Sequence, residues 1–136
     1  MKATLRWLDI AVFLALAVFA AVSPPRTASW LAGMCLAVVA AVPWFVARWQ
    51  LGASFAVTAQ ARELVTTGLY SKLRHPVYVF GSLAWLGVVI ALVGPRAIAA
   101  WIFVMAIQLL RVRHEERVLA EAFGAQYDAY RKTTWF

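Results

Sequence analysis

The sequence predicts an all-α integral membrane protein with about four transmembrane helices, built as one domain over residues 1–136. Three observations predict this class. Hydrophobic residues make up 64% of the chain and charged residues 14%, whereas a soluble domain carries about 25% charged residues. Mean hydropathy is +0.76, more apolar surface than a core of this size can hide. The apolar residues also fall into four runs separated by short polar breaks, and the basic residues gather at the ends of those runs. The net charge of +7 therefore matches anionic lipid headgroups rather than nucleic acid, which would require a basic face. The single cysteine, Cys35, lies in mid-run, where it reads as a small buried hydrophobe. No cysteine or histidine spacing supports a metal site.

The first run, Trp7 to Val22, spans roughly 24 Å as helix, slightly short of a hydrocarbon core of about 30 Å. Lys2 and Arg6 before it resemble the start of a signal peptide, but Pro24-Pro25 and three further apolar runs predict a retained helix. Asp9 reads as an acid near a helix start, favoured by the macrodipole. Ser23 to Ser29 forms a short turn. The second run, Trp30 to Ala47, carries Trp30, Trp44 and Trp49 toward its ends as an aromatic belt, is kinked at Pro43, and ends at Arg48. Residues 1–49 thus supply two N-terminal spans, and residues 50–136 carry the polar motifs.

Gln50 to Lys72 is the substantial extramembrane loop. Within it, Ala59 to Val65 suits a short interfacial helix and Thr66-Thr67-Gly68 a turn. His75-Pro76 opens the third span, since proline suits a first helical position whose N–H needs no partner. That span ends at Val93, and Gly94-Pro95-Arg96 leaves room only for a tight hairpin. The fourth span begins near Ala97 and crosses to Leu110, with Arg96 and Arg111 able to snorkel. From Val112 a helix continues out of the membrane to about Phe123, with Gly124 as its cap. The tail, with Tyr127, Tyr130, Trp135 and Phe136, folds back on the interface.

With the N-terminus inside, eleven Lys and Arg residues fall on the inner side and two, Arg26 and Arg96, outside. This asymmetry predicts cytoplasmic termini and a cytoplasmic face for both polar clusters. Localisation in a bacterial-type inner membrane is the corresponding expectation.

The two clusters are distant in sequence but level in space. The hairpin makes spans three and four antiparallel neighbours, so Arg74 and His75 meet Arg111. Four residues beyond Arg111, Glu115 shares its helix face. Tyr70, Arg74, His75, Tyr78, Arg111, His114, Glu115 and Glu116 then combine donors, acceptors and aromatic rings where water meets lipid. Such a set suits a zwitterionic cofactor bearing an aromatic ring: carboxylates for an ammonium, arginine for a carboxylate, tyrosines for a purine or a cation. Taken singly, each feature has a plain structural explanation. Arg-His-Pro is a common helix start, and a charged run after a span commonly serves as an anchor.

Taken as an ordered set they are more specific. Leu64 to Tyr70, Arg74-His75-Pro76-Val77-Tyr78, Glu115-Glu116 and Phe123 to Tyr130 together resemble the isoprenylcysteine carboxyl methyltransferases, whose relatives are the phospholipid methyltransferases. The resemblance covers residues 62 to 134. It implies a membrane enzyme that uses S-adenosylmethionine, with its cofactor site at the cytoplasmic face in the C-terminal half and carboxyl O-methylation of a lipid-like or isoprenylcysteine-like acceptor. It further implies that Arg62, Glu63, Leu64, Val65, Tyr70, His75, Pro76, Val77 and Tyr78 wrap the cofactor together with Glu115 and Glu116. On the same basis Arg111 and Glu115 are the catalytic residues, and Arg111 faces the acceptor. The chain departs from the family pattern at Trp135-Phe136, where a proline-containing tail is often found, and in having fewer spans than the eukaryotic enzymes. Both departures bear on the acceptor rather than the cofactor. The alternatives are phospholipid N-methylation, an NADPH-dependent membrane sterol or lipid reductase with a similar Arg-His-Pro-x-Tyr element, and a membrane scaffold without activity.

Overall fold

The computed structural model describes residues 2–23, 26–52 and 64–135, with side chains described from residue 8. Among the described residues, five α-helices follow one another: α1 (Lys2–Val22), α2 (Ala28–Leu51), α3 (Pro76–Val93), α4 (Ala97–Phe123) and α5 (Ala125–Thr133). A 3-10 turn, Gly68–Ser71, precedes α3. Among the described residues there is no β-strand, only an isolated parallel bridge between Leu73 and Trp135. Helices α2, α3 and α4 are long and apolar enough to cross a membrane, and the apolar part of α1, Leu8–Val22, is a shorter fourth.

The helix ends follow from local chemistry. Thr27 caps α2 by accepting from the Trp30 amide at 3.1 Å. Pro76 occupies the first turn of α3. Gly124, at φ +49°, lets the chain turn from α4 into α5 in a conformation that a side chain resists. Three boundaries differ from expectation: α1 begins at Lys2, and α2 begins at Ala28, within the expected turn, and continues past Arg48 to Leu51. The proposed interfacial helix over residues 59–65 lies mostly outside the described residues, and Leu64 and Val65 have no regular structure.

The core is the crossing of α2 and α3, and small residues create it. A Cβ on Gly33 would lie 2.5 Å from the Gly87 carbonyl oxygen, and one on Gly87 would lie 2.4 Å from the Ala37 nitrogen. The two backbones are therefore in direct contact, with Ala37, Ala40, Ala84 and Val88 buried along the seam. Helices in lipid gain from such close dispersion contact because there is no water to expel between them. Phe13 of α1 is fitted edge-on against Trp44 of α2 at 5.2 Å and Trp85 of α3 at 5.5 Å between ring centroids, which docks the first helix onto the pair. Elsewhere α1 and α2 leave an apolar lateral groove of about 470 Å³, lined by Phe13, Met34, Val38, Val42 and Phe45 among others.

Two sequence expectations change in this context. Cys35 is exposed on α2 rather than buried, on a helix whose outer face also presents Val38, Val39 and Val42. Asp9 lies more than a turn into α1, away from its dipole end, and its carboxylate accepts both Nη groups of Arg48, at 2.5 and 2.7 Å. Arg48 is 3% exposed, and a guanidinium buried this deeply needs a carboxylate partner. This pair brings the N-terminal half of α1 to the C-terminal end of α2. The same end of the bundle holds the start of α3 and the outer half of α4, and the turns bearing Arg26 and Arg96 lie at the opposite end.

Candidate functional site

At that end, the start of α3 is enclosed by α4, α5 and the C-terminal strand of chain. The Arg74 amide donates to the Trp135 carbonyl at 3.1 Å, and the Trp135 amide donates to the Lys72 carbonyl at 2.7 Å. The tail thus folds back as expected and is stitched to the backbone beside His75. The Arg74 side chain donates to the Arg131 carbonyl at 3.2 Å, and its Nε lies 3.1 Å from a Glu116 carboxylate oxygen. The same oxygen is 3.5 Å from His75 Nε2. One carboxylate on α4 therefore holds two consecutive residues at the entrance to α3.

The remaining groups converge on the same place. His75 is buried, and its ring meets Tyr78 edge-on at 5.9 Å. Glu115 lies beside the hydroxyl of Tyr78, and its charge acts on His75 and Tyr70. The Arg111 guanidinium stands 6.0 Å from the Tyr78 ring centroid, an outer cation–π distance, and its Nη1 approaches Gln108 Oε1 at 3.5 Å. Tyr70 is buried, and its carbonyl accepts the Tyr130 hydroxyl at 2.6 Å. Pro76 is buried, whereas Leu64, Val65 and Val77 are half-buried. Arg62 and Glu63 lie outside the described residues. His114, on the outer part of α4, is exposed. Among the described residues no group of three or more His, Cys, Asp or Glu side chains could hold a metal.

A family model described as phospholipid methyltransferase matches residues 27–126, from the start of α2 into α5. The chain belongs to this family. It is also 31% identical over 117 residues to a protein-S-isoprenylcysteine O-methyltransferase of Dictyostelium discoideum, an alignment covering 78% of this chain and 47% of the relative. A protein of the same name from Tribolium castaneum is 33% identical over 116 residues, covering 76% and 40%. The Saccharomyces cerevisiae protein of that name is 40% identical over 70 residues, covering 50% and 29%. The chain thus spans less than half the length of these relatives.

For this phospholipid methyltransferase family member, the cluster's electrostatics follow from its burial. Desolvation pushes the His75 pKa down, and the charges of Glu115 and Glu116 oppose that shift. Burial, then Glu115, holds the Tyr70 hydroxyl far above its ordinary range, and burial pushes Tyr130 up to about 12. Tyr127 is raised as well, first by burial and then by Glu116. A histidine with a lowered folded pKa favours the neutral ring, so the unfolded chain binds more protons once pH falls below the ordinary value of 6.5. Thermal stability in detergent is therefore expected to fall as pH drops from about 7 to 5. His75→Gln should flatten that dependence, and an unchanged slope in the glutamine variant would assign it to other groups.

Several groups at this end were not read from the sequence. Tyr127 and Tyr130 are expected in the motif and in a tail that folds back, but not in the contacts they make: Tyr127 is 1% exposed and the Tyr130 hydroxyl donates to the Tyr70 carbonyl. Their three-residue spacing, which places both on one face of α5, was the available signal. Nothing local in the sequence linked Asp9 to Arg48 or Gln50 to the motif loop.

Proposed function

We propose that this protein is a membrane methyltransferase that uses S-adenosylmethionine to methylate a lipid-like acceptor with an anionic head, carboxyl O-methylation being favoured. The observation that carries the proposal is the convergence of His75, Tyr78, Arg111 and Glu115 at the joint of α3 and α4, where polar side chains of both signs meet the outer ends of membrane helices. The donor set fits the cofactor. Glu115 offers a carboxylate to an ammonium, Tyr70 and Tyr78 offer rings to a purine or a sulfonium, and arginine or loop amides suit a carboxylate. His75 to Tyr78 and Leu64-Val65 would flank it, with Glu116 holding Arg74 and His75 in place.

When bound, the cofactor supplies an electrophilic methyl group on sulfonium sulfur. The residues of the chain orient and desolvate. Arg111 presents a planar two-pronged donor at the lipid boundary, matched to a carboxylate head whose apolar tail stays in the bilayer. A carboxylate acceptor carries no proton that must be removed, so no general base is required. The C-terminal helix and tail, packed over His75, limit the access of water from one side. Cytoplasmic placement of this end is part of the proposal, supported by the eleven-to-two division of basic residues. Reporter fusions at the C-terminus and in the Arg96 turn test it; reporter activity on the wrong side of the membrane would reverse it.

Calorimetric titration with S-adenosylmethionine against NADPH tests the cofactor, and binding of NADPH alone would favour the reductase alternative. Arg111→Lys tests the acceptor. Lysine keeps the charge and can still snorkel, but it loses the fork. The lysine variant should bind cofactor nearly as the unsubstituted protein does, while methyl transfer to an S-prenylated cysteine falls at least ~10-fold, about one charge-assisted hydrogen bond. Full turnover in the variant would return Arg111 to an anchoring role. Transfer to phosphatidylethanolamine instead would favour the N-methylation reading, which the matching family's description keeps in view.

A further inference from the structure

The N-terminal spans carry none of the motifs, yet one of their side chains reaches into the motif loop. The Gln50 carboxamide oxygen, at the end of α2, accepts from the Leu69 backbone amide at 2.9 Å. Leu69 is the second residue of the 3-10 turn Gly68–Ser71, and Thr67 at the cap position makes no side-chain capping bond. The opening amides of a helical turn need acceptors, and here an acceptor comes from nineteen residues upstream. The fit is close. Gly68 is at φ +62°, and a Cβ there would lie 2.2–2.6 Å from the Nε2, Cδ and Oε1 atoms of Gln50. The Gln50 carboxamide therefore lies directly against Gly68, where an added side chain would have to displace it.

On its other side the turn is held by α5, through the Tyr130 hydroxyl on the Tyr70 carbonyl at 2.6 Å. Tyr70 is the buried residue of this turn. It is thus fixed between α2 and α5, beside the charge of Glu115.

We propose that Gln50 is a positioning residue for the cofactor site: it caps the Gly68–Ser71 turn from the transmembrane helix α2 and thereby sets where Tyr70 sits. The inference rests on the cofactor reading above. It gives α2 a part in cofactor recognition and requires that position 50 carry an acceptor of glutamine length. Leucine has similar bulk but no acceptor, and glutamate keeps the acceptor.

The test uses full-length protein in nanodiscs. Gln50→Leu should weaken S-adenosylmethionine binding about 3- to 10-fold, the effect of one neutral hydrogen bond. The cofactor KM should rise in step while kcat at saturating cofactor stays within about two-fold. Gln50→Glu should restore binding. In ligand-free protein, hydrogen exchange at the Leu69 amide should accelerate in the leucine variant and not in the glutamate variant. Gly68→Ala should also weaken binding, but by less when Gln50 is already alanine, because the overlap is then relieved while the backbone strain is the same in both backgrounds. Equal binding by the leucine variant, or additive effects of the two alanine substitutions, would overturn the proposal. A lack of S-adenosylmethionine binding by the unsubstituted protein would instead overturn the cofactor reading. The two failures are distinguishable because Leu69 exchange is measured without ligand.

Discussion

Gly87→Val is expected to abolish the folded protein, measured as the loss of a monodisperse peak on size exclusion in mild detergent and of a cooperative thermal transition. A Cβ at this position would sit 2.4 Å from the Ala37 nitrogen, 2.6 Å from the Gly33 carbonyl oxygen and 2.8 Å from the Ala37 Cα. All three are backbone atoms of α2, which cannot rotate aside as a side chain tip can. The helices must therefore separate, and contact is lost along the whole seam from Gly33 to Trp44. Overpacking a close-packed core costs about 1–3 kcal/mol where side chains can adjust, and here the cost should exceed that range. The control is Ala99→Val on the exposed side of α4, which adds the same bulk where lipid can yield and should leave the protein unchanged. A well-folded Gly87→Val protein would mean that α2 and α3 do not cross at these glycines.

The second large effect is expected at Glu116. Glu116→Ala removes the carboxylate shared by Arg74 and His75, whose side chains are 15% and 3% exposed. Breaking a buried pair from one side costs about 3–5 kcal/mol because the remaining charge stays desolvated. Glu116 is itself one-fifth exposed, so a loss of about 2–3 kcal/mol is expected, divided between stability and cofactor affinity. On the cofactor reading proposed above, if most of it falls on the site, S-adenosylmethionine binding weakens roughly 30- to 150-fold. Glu116→Gln retains an acceptor for Arg74 and should recover part of the loss. Burial lowers the His75 pKa and the nearby Glu116 carboxylate opposes that shift, so the alanine variant should also shift the His75 titration, followed by NMR, further down. Glu121→Ala, exposed on the same helix, is the comparison. Unchanged binding and an unchanged histidine titration in Glu116→Ala would remove this residue from the site.

Much of this end of the molecule is legible in the sequence. His75-Pro76 marked the start of α3, the Gly94-Pro95 hairpin made α3 and α4 neighbours, and Gly124 marked the end of α4. From those three points the meeting of His75 and Tyr78 with Arg111 and Glu115 followed by helix geometry alone. Asp9 and Cys35 were misread for one physical reason. In water an apolar face identifies the packed side of a helix, but in lipid the outward face is equally apolar. Hydropathy therefore gave no sign that Cys35 faces outward, or that Asp9 lies opposite the next helix rather than at a helix end.

The sequence by itself determined the class, the order of the apolar segments, the direction of the charge bias and the residues that meet at the α3–α4 joint. Each of these depends on local backbone rules or on composition. Only the tertiary structure decided that Gly33 and Gly87 bring two backbones into contact, that Asp9 neutralises Arg48, that Gln50 caps a turn nineteen residues away, and that Trp135 pairs with the strand of chain before His75. Each of these contacts joins residues distant along the chain through a bond or an approach of a few ångströms. Such contacts are set by the relative rotation and depth of whole helices. In a membrane that rotation is chosen by the fit of small side chains and by the need of every buried polar group for a partner, and a count of hydrophobic residues contains neither.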